Sequence, residues 1–402
     1  MSEIGDFGLV VLLVAGAATV AVAGSKLTDW VRIPGPALLL VGAAIASDLF
    51  DGLRRVDFLT VERIAVVALI VILFEGGMHI GWRRFRESAV PIVALGVLGT
   101  FATAALIALA AHALLGVSWT VAGLLGAALA PTDPAVMFSV LGNREVGGRT
   151  GTILEGESGA NDPVGIALMI GMIELATHDD ASRWTVLTEF GVAMVVGLAV
   201  GVAAGVLLPR FMRRIGLPDV QLYPLQVLAL AGVVYGAASV AHGSGFLAVF
   251  VAGLLFGDAR LAHKQEIERF AKSLSSLAEI TVFLALGLTV SLGFIWNQGL
   301  WLDGLLLAVV LAFVIRPLVV SVLLLPARLE ARERVFVAWG GLKGAVPILL
   351  AALAVLAGTE GADRIYGIVF VVVLFSVVVQ GTTIPAAARA LRIPMRSLRR
   401  PG

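Results

Sequence analysis

Five acidic side chains lie within long apolar stretches of this sequence, where a charge is costly. They are Glu75, Asp133, Glu155, Glu157 and Asp162. An ionised side chain at the middle of a bilayer costs about 2.5–3.5 kcal/mol or more, so each acid is a candidate functional residue. Only two cationic side chains, Arg316 and Lys343, lie in comparable stretches. The surplus of acids predicts that protons or small cations complete the site.

The segment 155–163 holds groups that suit an alkali cation. On a helix, Ser158 and Asp162 share a face, so a hydroxyl and a carboxylate can contact the same ion. Oxygen ligands suit a hard monovalent cation, and no other metal is expected. Pro163 removes one backbone donor, and Asn161 can donate to backbone that has lost its partner.

Two apolar stretches are interrupted by residues that disfavour helix. The break at 131–134 contains Thr132 and Asp133 between two prolines, and the break at 340–344 contains Lys343 among glycines. Exposed peptide dipoles at such breaks point at whatever occupies the gap. Broken spans at matching places in oppositely oriented halves are typical of the inverted repeats of secondary transporters, with the binding site at the breaks.

A carboxylate in lipid is tolerated when a proton or a bound cation neutralises it. If Asp162 must hold one of the two, and the empty charged site cannot cross, cation flux in one direction is tied to proton flux in the other. The residues therefore predict antiport. Helix capping is the alternative role for Asp162 and Asp133, but the adjacent prolines favour function.

For the other three acids, a structural or solvated role competes more strongly with a role in cation binding. Glu157 is expected to form a buried ion pair that supports the fold. Glu75, near the end of its span, is equally consistent with a cation ligand and with a solvated side chain. Glu155 lies near the interface and is expected to be a solvated acid of an entrance funnel.

The composition requires a membrane as the solvent for most of the chain. Of its 402 residues, 59% are hydrophobic and 14% charged, and the mean hydropathy is +0.99. A typical soluble chain carries about 25% charge, so this much apolar surface cannot be hidden in a globular core. The net charge of +1 argues against a nucleic-acid partner, and the lack of cysteine excludes disulfides and thiol chemistry. No cofactor is expected.

Apolar stretches long enough to cross the bilayer predict an all-α polytopic membrane protein with about 13 transmembrane helices. They lie at 7–23, 34–50, 61–79, 89–115, 118–142, 150–176, 187–209, 222–241, 245–258, 275–294, 301–325, 334–357 and 364–388. Loops after odd-numbered spans, with the C-terminal tail, hold 22 of the 29 Lys and Arg. This bias predicts an external N-terminus and a cytoplasmic C-terminus. The polar connector 258–273 is predicted to be a separate amphipathic helix at the interface.

Together these motifs resemble the monovalent cation:proton antiporters of the NhaP and NHE type. The resemblance rests on the run 157–163, both breaks, Phe74 to Gly77 at the end of the third span, and Arg316. Glu155, which extends the acidic run, is closer to the potassium/proton, cell-volume-regulation branch, whose members usually carry a cytoplasmic regulatory domain. Lys343 departs from the family pattern, which usually has arginine there.

The resemblance implies a homodimer in the plasma (inner) membrane, built from two inverted repeats, spans 1–6 and 8–13, with helices 5 and 12 interrupted. Two segments of the chain form a dimerising scaffold, two others form a mobile core, and a basic tail follows the core. The scaffold is 1–88 and 181–300, which includes linker helix 7; the core is 89–180 and 301–391; the tail is 392–402.

The resemblance also implies roles for individual residues. Asp162 is the proton and cation carrier, and the site is completed by Ser158, Glu75, the backbone of Thr132 and, indirectly, Asp133. Glu157 pairs with Arg316. The Asn161 and Asp162 pair accompanies electroneutral exchange, and K⁺ is slightly favoured over Na⁺ as substrate.

Two alternatives remain open on the sequence alone. The same helix breaks would suit a passive cation channel. A di-aspartyl intramembrane protease using Asp133 and Asp162 is a weaker alternative, because the Gly-x-Gly-Asp context is missing and Glu75, Ser158 and Arg316 would have no role.

Overall fold

The computed structural model describes Gly16, Thr19 and residues 35–50, 57–133, 136, 137, 141, 144–178 and 183–397. Nearly all of this part of the chain is helical. Apart from Gly16 and Thr19, the first predicted span, 7–23, lies outside the described residues, as does the end of the basic tail. The count of 13 transmembrane helices and the positions of the termini therefore stay predictions.

The helices follow one another with short connections. The first five are α1 (Gly35–Leu49), α2 (Phe58–Glu87), α3 (Ala89–Leu115), α4 (Trp119–Leu129) and α5 (Gly148–Thr177). The next five are α6 (Arg183–Arg214), α7 (Leu222–Val240), α8 (Gly245–Gly257), α9 (Lys264–Leu288) and the short α10 (Leu292–Asn297). The last are α11 (Leu300–Leu323), α12 (Ala331–Gly340), α13 (Ala345–Leu356) and α14 (Ala362–Ala390).

Within the described residues, six helices are long and apolar enough to cross a membrane, and α12 with α13 forms a seventh if the bent pair is one span. From the second onward, each predicted span overlaps one of the helices or this pair, but the fifth, 118–142, is helical only over Trp119–Leu129 before the break, and much of 134–143 lies outside the described residues. Helix α5 is 30 residues long, and α2 covers the same length with a kink at Gly81, whose φ of 69° is non-helical; together they carry Glu75, Glu155, Glu157 and Asp162.

One predicted connector is wrong. Residues 258–273 do not form a separate interfacial helix, because α9 runs continuously from Lys264 to Leu288. The chain from Lys264 to Leu286 contains neither proline nor glycine, the residues that most often end a helix. The polar first turns and the apolar later turns thus belong to one helix, which ends before residue 294, the predicted end of the span.

Helices α2 and α8 approach closely because glycines line both sides of their contact. A Cβ atom on Gly77 would lie 2.5 Å from the carbonyl oxygen of Phe250. On α8, Gly253 and Gly257 are four residues apart, and a Cβ on either would collide with the backbone of α2. Small residues at this spacing let membrane helices pack backbone to backbone.

The helices pack in two groups with α5 between them. In one group, α8 packs against α2 and α6, and α9 packs against α1 and α2. In the other, α4 packs against α3, and α14 packs against α11 and α13. Helix α5 contacts members of both groups, including α2, α4 and α6. The helix that carries Asp162 therefore lies where the two groups meet.

Three long helices contain a π-helical turn, which the sequence does not predict. The turns are Ala94–Gly99 in α3, Leu311–Ile315 in α11 and Ser376–Gly381 in α14. Such turns are rare, and they often occur at functional sites. The second directly precedes Arg316, and the third contains the side chains that contact the break around Lys343.

A small antiparallel ladder is a further departure from the predicted all-α fold. Strand β1 (Arg144–Val146) pairs with β2 (Met395–Ser397). The amide of Gly147 also donates to the carbonyl of Pro394 at 2.8 Å. The start of the C-terminal tail is thereby attached to the residues immediately before α5.

We expect Gly77→Ala to destabilise the protein, because the added methyl group would force α2 away from α8. Overpacking of this kind costs about 1–3 kcal/mol, which would lower the melting temperature of the purified protein in detergent. The matched control is Gly232→Ala on α7, where a Cβ meets nothing within 4 Å. An equal melting temperature for Gly77→Ala and the wild type would contradict the close packing.

Candidate functional site

A cavity of about 350 Å³ is enclosed mainly by α2, α5 and α9. It brings together five of the residues singled out from the sequence, which are Glu75, Asp133, Glu155, Ser158 and Asp162. These residues come from three separate parts of the chain. Among the described residues, the other predicted site residues lie outside the cavity wall: Thr132, Asn161, Glu157, Arg316 and Lys343.

Asp162 is buried in the wall of this cavity with one oxygen unused. Its side chain is 5% exposed, and Oδ1 has no hydrogen-bond partner within the described part of the chain. Ser158, one turn earlier on α5, is also buried and lines the same cavity. A buried carboxylate oxygen without a partner is costly, so this position favours a bound proton or cation.

The two helix breaks are joined to each other beside the cavity. The amide of Asp133 donates to the carbonyl of Leu342 at 2.8 Å. The Lys343 ammonium donates to the carbonyls of Ala130 and Pro131, at 2.8 Å each. These carbonyls lie at the C-terminal end of α4, where the helix dipole favours a positive charge.

Asp133 makes the reciprocal contact at the other break. Its Oδ2 accepts from the amide of Ala345 at 3.4 Å, at the N-terminal end of α13, where the helix dipole favours a negative charge. Gly344 is required beside it, because a Cβ there would collide with the Asp133 carboxylate. The sequence predicts helix dipoles that point at a guest in the gap. In the structure, side chains of the protein itself occupy both helix ends.

Lys343 is also held through its backbone. Its amide donates to Oγ of Ser376 at 2.8 Å, and this hydroxyl donates to Oε1 of Gln380 at 2.9 Å. Ser376 and Gln380 belong to the π-helical turn of α14. An ammonium group suffices to bind two carbonyls, which gives Lys343 a physical role where the family pattern usually has arginine.

Asn161 and Thr132 form a direct link between α5 and the first break. Nδ2 of Asn161 donates to Oγ1 of Thr132 at 2.8 Å, and both side chains are buried. The predicted partner of Asn161 was the backbone, and the structure shows this hydroxyl instead. The residue next to Asp162 thus fixes α5 to the first break.

Glu157 and Arg316 form a buried ion pair beside the cavity. The distances are 2.5 Å from Nη1 to Oε1 and 2.8 Å from Nη2 to Oε2. Nη2 also donates to the carbonyl of Val337 on α12, at 3.4 Å. The pair therefore connects α5, α11 and α12 next to the second break, and a Cβ on Gly341 would collide with the guanidinium.

Further ionisable residues, which the sequence does not single out, line the cavity. Glu279 on α9 is a sixth acid within an apolar span, and it lines the cavity. Glu279 lies inside the predicted span 275–294, so the sequence could have identified it as an acid in an apolar stretch. Because the prediction begins this span at residue 275, Glu279 falls near a predicted helix end. His79 lies one turn after Glu75, with Nε2 3.7 Å from Oε1 of Glu145.

A wider cavity of about 730 Å³ adjoins the first where α2 ends and α9 begins. The two share the side chains of Glu75, His79 and Lys272. Lys272 is exposed, so this end is the entrance from solvent. The positive-inside prediction assigns this face to the cytoplasm.

Comparison with known proteins identifies the class. The sequence model of the family described as sodium/hydrogen exchanger, transmembrane, matches residues 14–390. The chain therefore belongs to this family of transmembrane exchangers, which are transporters and not enzymes. This membership does not support a protease at Asp133 and Asp162.

Individual relatives are similar along most of this chain. The K(+)/H(+) antiporter NhaP of Alkalimonas amylolytica is 36% identical over 367 residues, which are 90% of this chain and 63% of that protein. The K(+)/H(+) antiporter NhaP2 of Shewanella sp. (strain ANA-3) is 32% identical, with 90% and 64% covered. The Na(+)/H(+) antiporter ApNhaP of Aphanothece halophytica is 30% identical, with 88% and 68% covered. The chain thus spans slightly less than two thirds of the first two relatives.

The fold is also that of a solved structure. The sodium proton antiporter MjNhaP1 from Methanocaldococcus jannaschii at pH 8 superposes with a TM-score of 0.79 at 23% identity. The superposition covers 95% of this chain and all of that one. The helical arrangement described above is therefore an NhaP fold.

We expect Arg316→Ala to lower the stability of the folded protein, because Glu157 would be left buried without its partner. Breaking a buried ion pair from one side costs about 3–5 kcal/mol. Thermal melting in detergent and the yield of monodisperse protein would measure this loss.

The control is Arg364→Ala, which removes a more exposed pair with Asp303, 2.9 Å from Nη2 to Oδ2. Exposed pairs contribute at most about 1 kcal/mol, so this variant should melt close to the wild type. Equal melting temperatures for the two variants would show that the buried pair has no special structural role.

Proposed function

We propose that the protein exchanges a monovalent cation for a proton across the plasma membrane, and that both substrates bind in turn at Asp162. The main support is the buried Oδ1 of Asp162, which lacks a partner among the described residues at the wall of a cavity. Within the described part of the chain, six carboxylates and one lysine line this cavity. Such a wall attracts cations and protons and repels anions.

Exchange follows from the need to neutralise this carboxylate. With a proton or a cation bound, Asp162 can change sides, and without either it is a costly bare charge in lipid. Ser158 and Glu75 provide further oxygen atoms to the cation from two helices. Thr132, Asn161 and Asp133 act indirectly, because they hold α5 and the two breaks in register.

The motion that we propose is movement of a core against a scaffold. The core is 89–180 and 301–391, and the scaffold is 1–88 and 181–300, with the homodimer formed through the scaffold. The packing of the helices in two groups, with α5 between them, supports this division. The reciprocal capping of the two breaks supports two inverted repeats. The fold of 13 helices with an external N-terminus is supported by the apolar stretches and by the Lys and Arg bias of the loops.

We further propose that the exchange is electroneutral and that K⁺ is slightly preferred over Na⁺. One carboxylate that alternates between one proton and one cation moves no net charge, and Asn161 cannot carry a second proton. The relatives named K(+)/H(+) antiporters are more similar to this chain than the one named Na(+)/H(+) antiporter. This order supports K⁺ slightly over Na⁺.

We expect Asp162→Asn to abolish exchange while the protein still folds, because the amide has nearly the same shape but binds neither proton nor cation. Proteoliposomes with an internal pH dye would measure the luminal pH change that follows an imposed K⁺ or Na⁺ gradient. The matched control is Asp219→Asn, at an exposed position, which should transport like the wild type. Exchange by Asp162→Asn at a wild-type rate would overturn the assignment of the carrier.

We expect the apparent KM for the cation to rise as the pH falls, because protons compete for the same carboxylate. Below the pKa of the carrier, competition for one site raises the apparent KM about tenfold per pH unit, with an unchanged maximal rate. Initial rates with K⁺, Na⁺ and Li⁺ between pH 6 and 9 would measure this relation and the selectivity. A pH-dependent maximal rate at constant KM would contradict competition.

The same vesicles distinguish antiport from the channel alternative. An electroneutral antiporter changes the luminal pH on a cation gradient while the membrane potential is clamped at zero, and its rate does not depend on that potential. A passive cation channel moves charge, but it produces no pH change under the clamp. A rate that varies with the clamped potential would overturn electroneutrality.

A further inference from the structure

Helix α9 presents a polar stripe to the cavity. Lys272, Ser275, Ser276 and Glu279 all line it. Their spacing of three, four and seven residues places them on one face of a helix. The stripe begins at the exposed Lys272 at the entrance, and beyond Glu279 the next cavity residue on this face is the buried Val282. Glu279 is therefore the innermost polar group that α9 provides.

The Glu279 carboxylate lacks a partner on its enclosed side. Its Oε1 is inaccessible and has no hydrogen-bond partner among the residues that the structure describes. The charges that act on it are those of Asp133 and Glu75. Neither can stabilise an ionised carboxylate, because both are acids.

The ionisable groups form a series from the entrance to Asp162. Glu75 interacts with Lys272 and Glu145 near the entrance, Glu279 interacts with Glu75 and Asp133, and Asp162 interacts with Asp133. On the wall formed by α9, Lys272 lines both cavities, whereas Glu279 lines only the inner one, which Asp162 also lines. A cation that enters past Lys272 therefore reaches a cavity lined by both carboxylates.

We propose that Glu279 binds the monovalent cation at an intermediate position, together with the Ser275 hydroxyl and Glu75, before the cation reaches Asp162. This inference rests on the proposed function and adds a second cation-binding residue to it. The ligands are oxygen atoms, which suit an alkali cation. Glu279 raises the local cation concentration beside Asp162 and does not itself carry the proton across, so it acts on the apparent KM and not on the maximal rate.

The transport test is Glu279→Gln in the same proteoliposomes. The apparent KM for K⁺ or Na⁺ should rise about five- to tenfold, because one charge-assisted ligand is lost, while the maximal rate stays within about twofold. Glu279→Asp keeps the charge and should recover most of the affinity. The control is Glu266→Gln on the same helix, which is exposed and lines neither cavity.

A binding test without transport uses the inactive Asp162→Asn variant. K⁺ or Na⁺ should still raise its melting temperature relative to choline chloride at equal ionic strength, because Glu279 remains. The double variant with Glu279→Gln should lose this effect, whereas the double variant with Glu266→Gln should keep it. This measurement needs only folded protein, so it tests the inference even where Glu279→Gln transports poorly.

The outcomes separate the inference from the proposed function. No exchange by the wild type would overturn the proposed function, whatever Glu279 does. Exchange by the wild type with an unchanged KM in Glu279→Gln would overturn the inference alone. The absence of cation-specific stabilisation in Asp162→Asn would likewise show that Glu279 binds no cation.

Discussion

The junction between the two helix breaks depends on charges placed at helix ends. The Lys343 ammonium binds carbonyls at the C-terminal end of α4, and the Asp133 carboxylate accepts from the amide of Ala345 at the N-terminal end of α13. Unsatisfied backbone groups at membrane depth are costly, so the two side chains stabilise the breaks by binding groups at the helix ends. Each charge also compensates the other break's dipole, which makes the two breaks mutually dependent. Helix ends with unpaired backbone groups are unfavourable within a membrane. Here the two side chains hold these ends in fixed positions beside the cavity.

Two acids on α5, only five residues apart, differ in the partners that the fold provides for their oxygens. Glu157 uses both oxygens in the pair with Arg316 and therefore connects α5 to α11 and α12. Asp162 has an oxygen without a protein partner among the described residues and lies at the cavity. Both side chains are buried on the same helix, but only Glu157 forms an ion pair with a cationic side chain, that of Arg316. A carboxylate with a permanent partner cannot exchange guests, whereas one without a partner must take a guest from solution.

The position of α5 between two helix groups gives this asymmetry a mechanical context. On one side, α2 and α8 pack backbone to backbone through glycines and form a stiff wall. On the other, the ion pair and the Asn161 to Thr132 hydrogen bond attach α5 to the breaks. The cavity lies between these sides, so its walls belong to both groups. Any relative movement of the groups changes the surroundings of Asp162 more than its attachment.

The sequence alone determined the membrane class, nearly all helix positions from residue 34 onward, and the identity of most of the buried charges, because hydrophobic length and the cost of charge in lipid are local properties. It could not determine which charges meet. That Lys343 binds the end of α4, that Asn161 binds Thr132 and that Glu279 lines the same cavity as Glu75 and Asp133 depend on packing between segments up to 213 residues apart. The division of α9 was wrong for the same reason, since its polar first turns resemble a surface helix until the cavity that they line is known. Tertiary structure decided these points because helix rotation and lateral packing, unlike span length, are set by neighbouring helices.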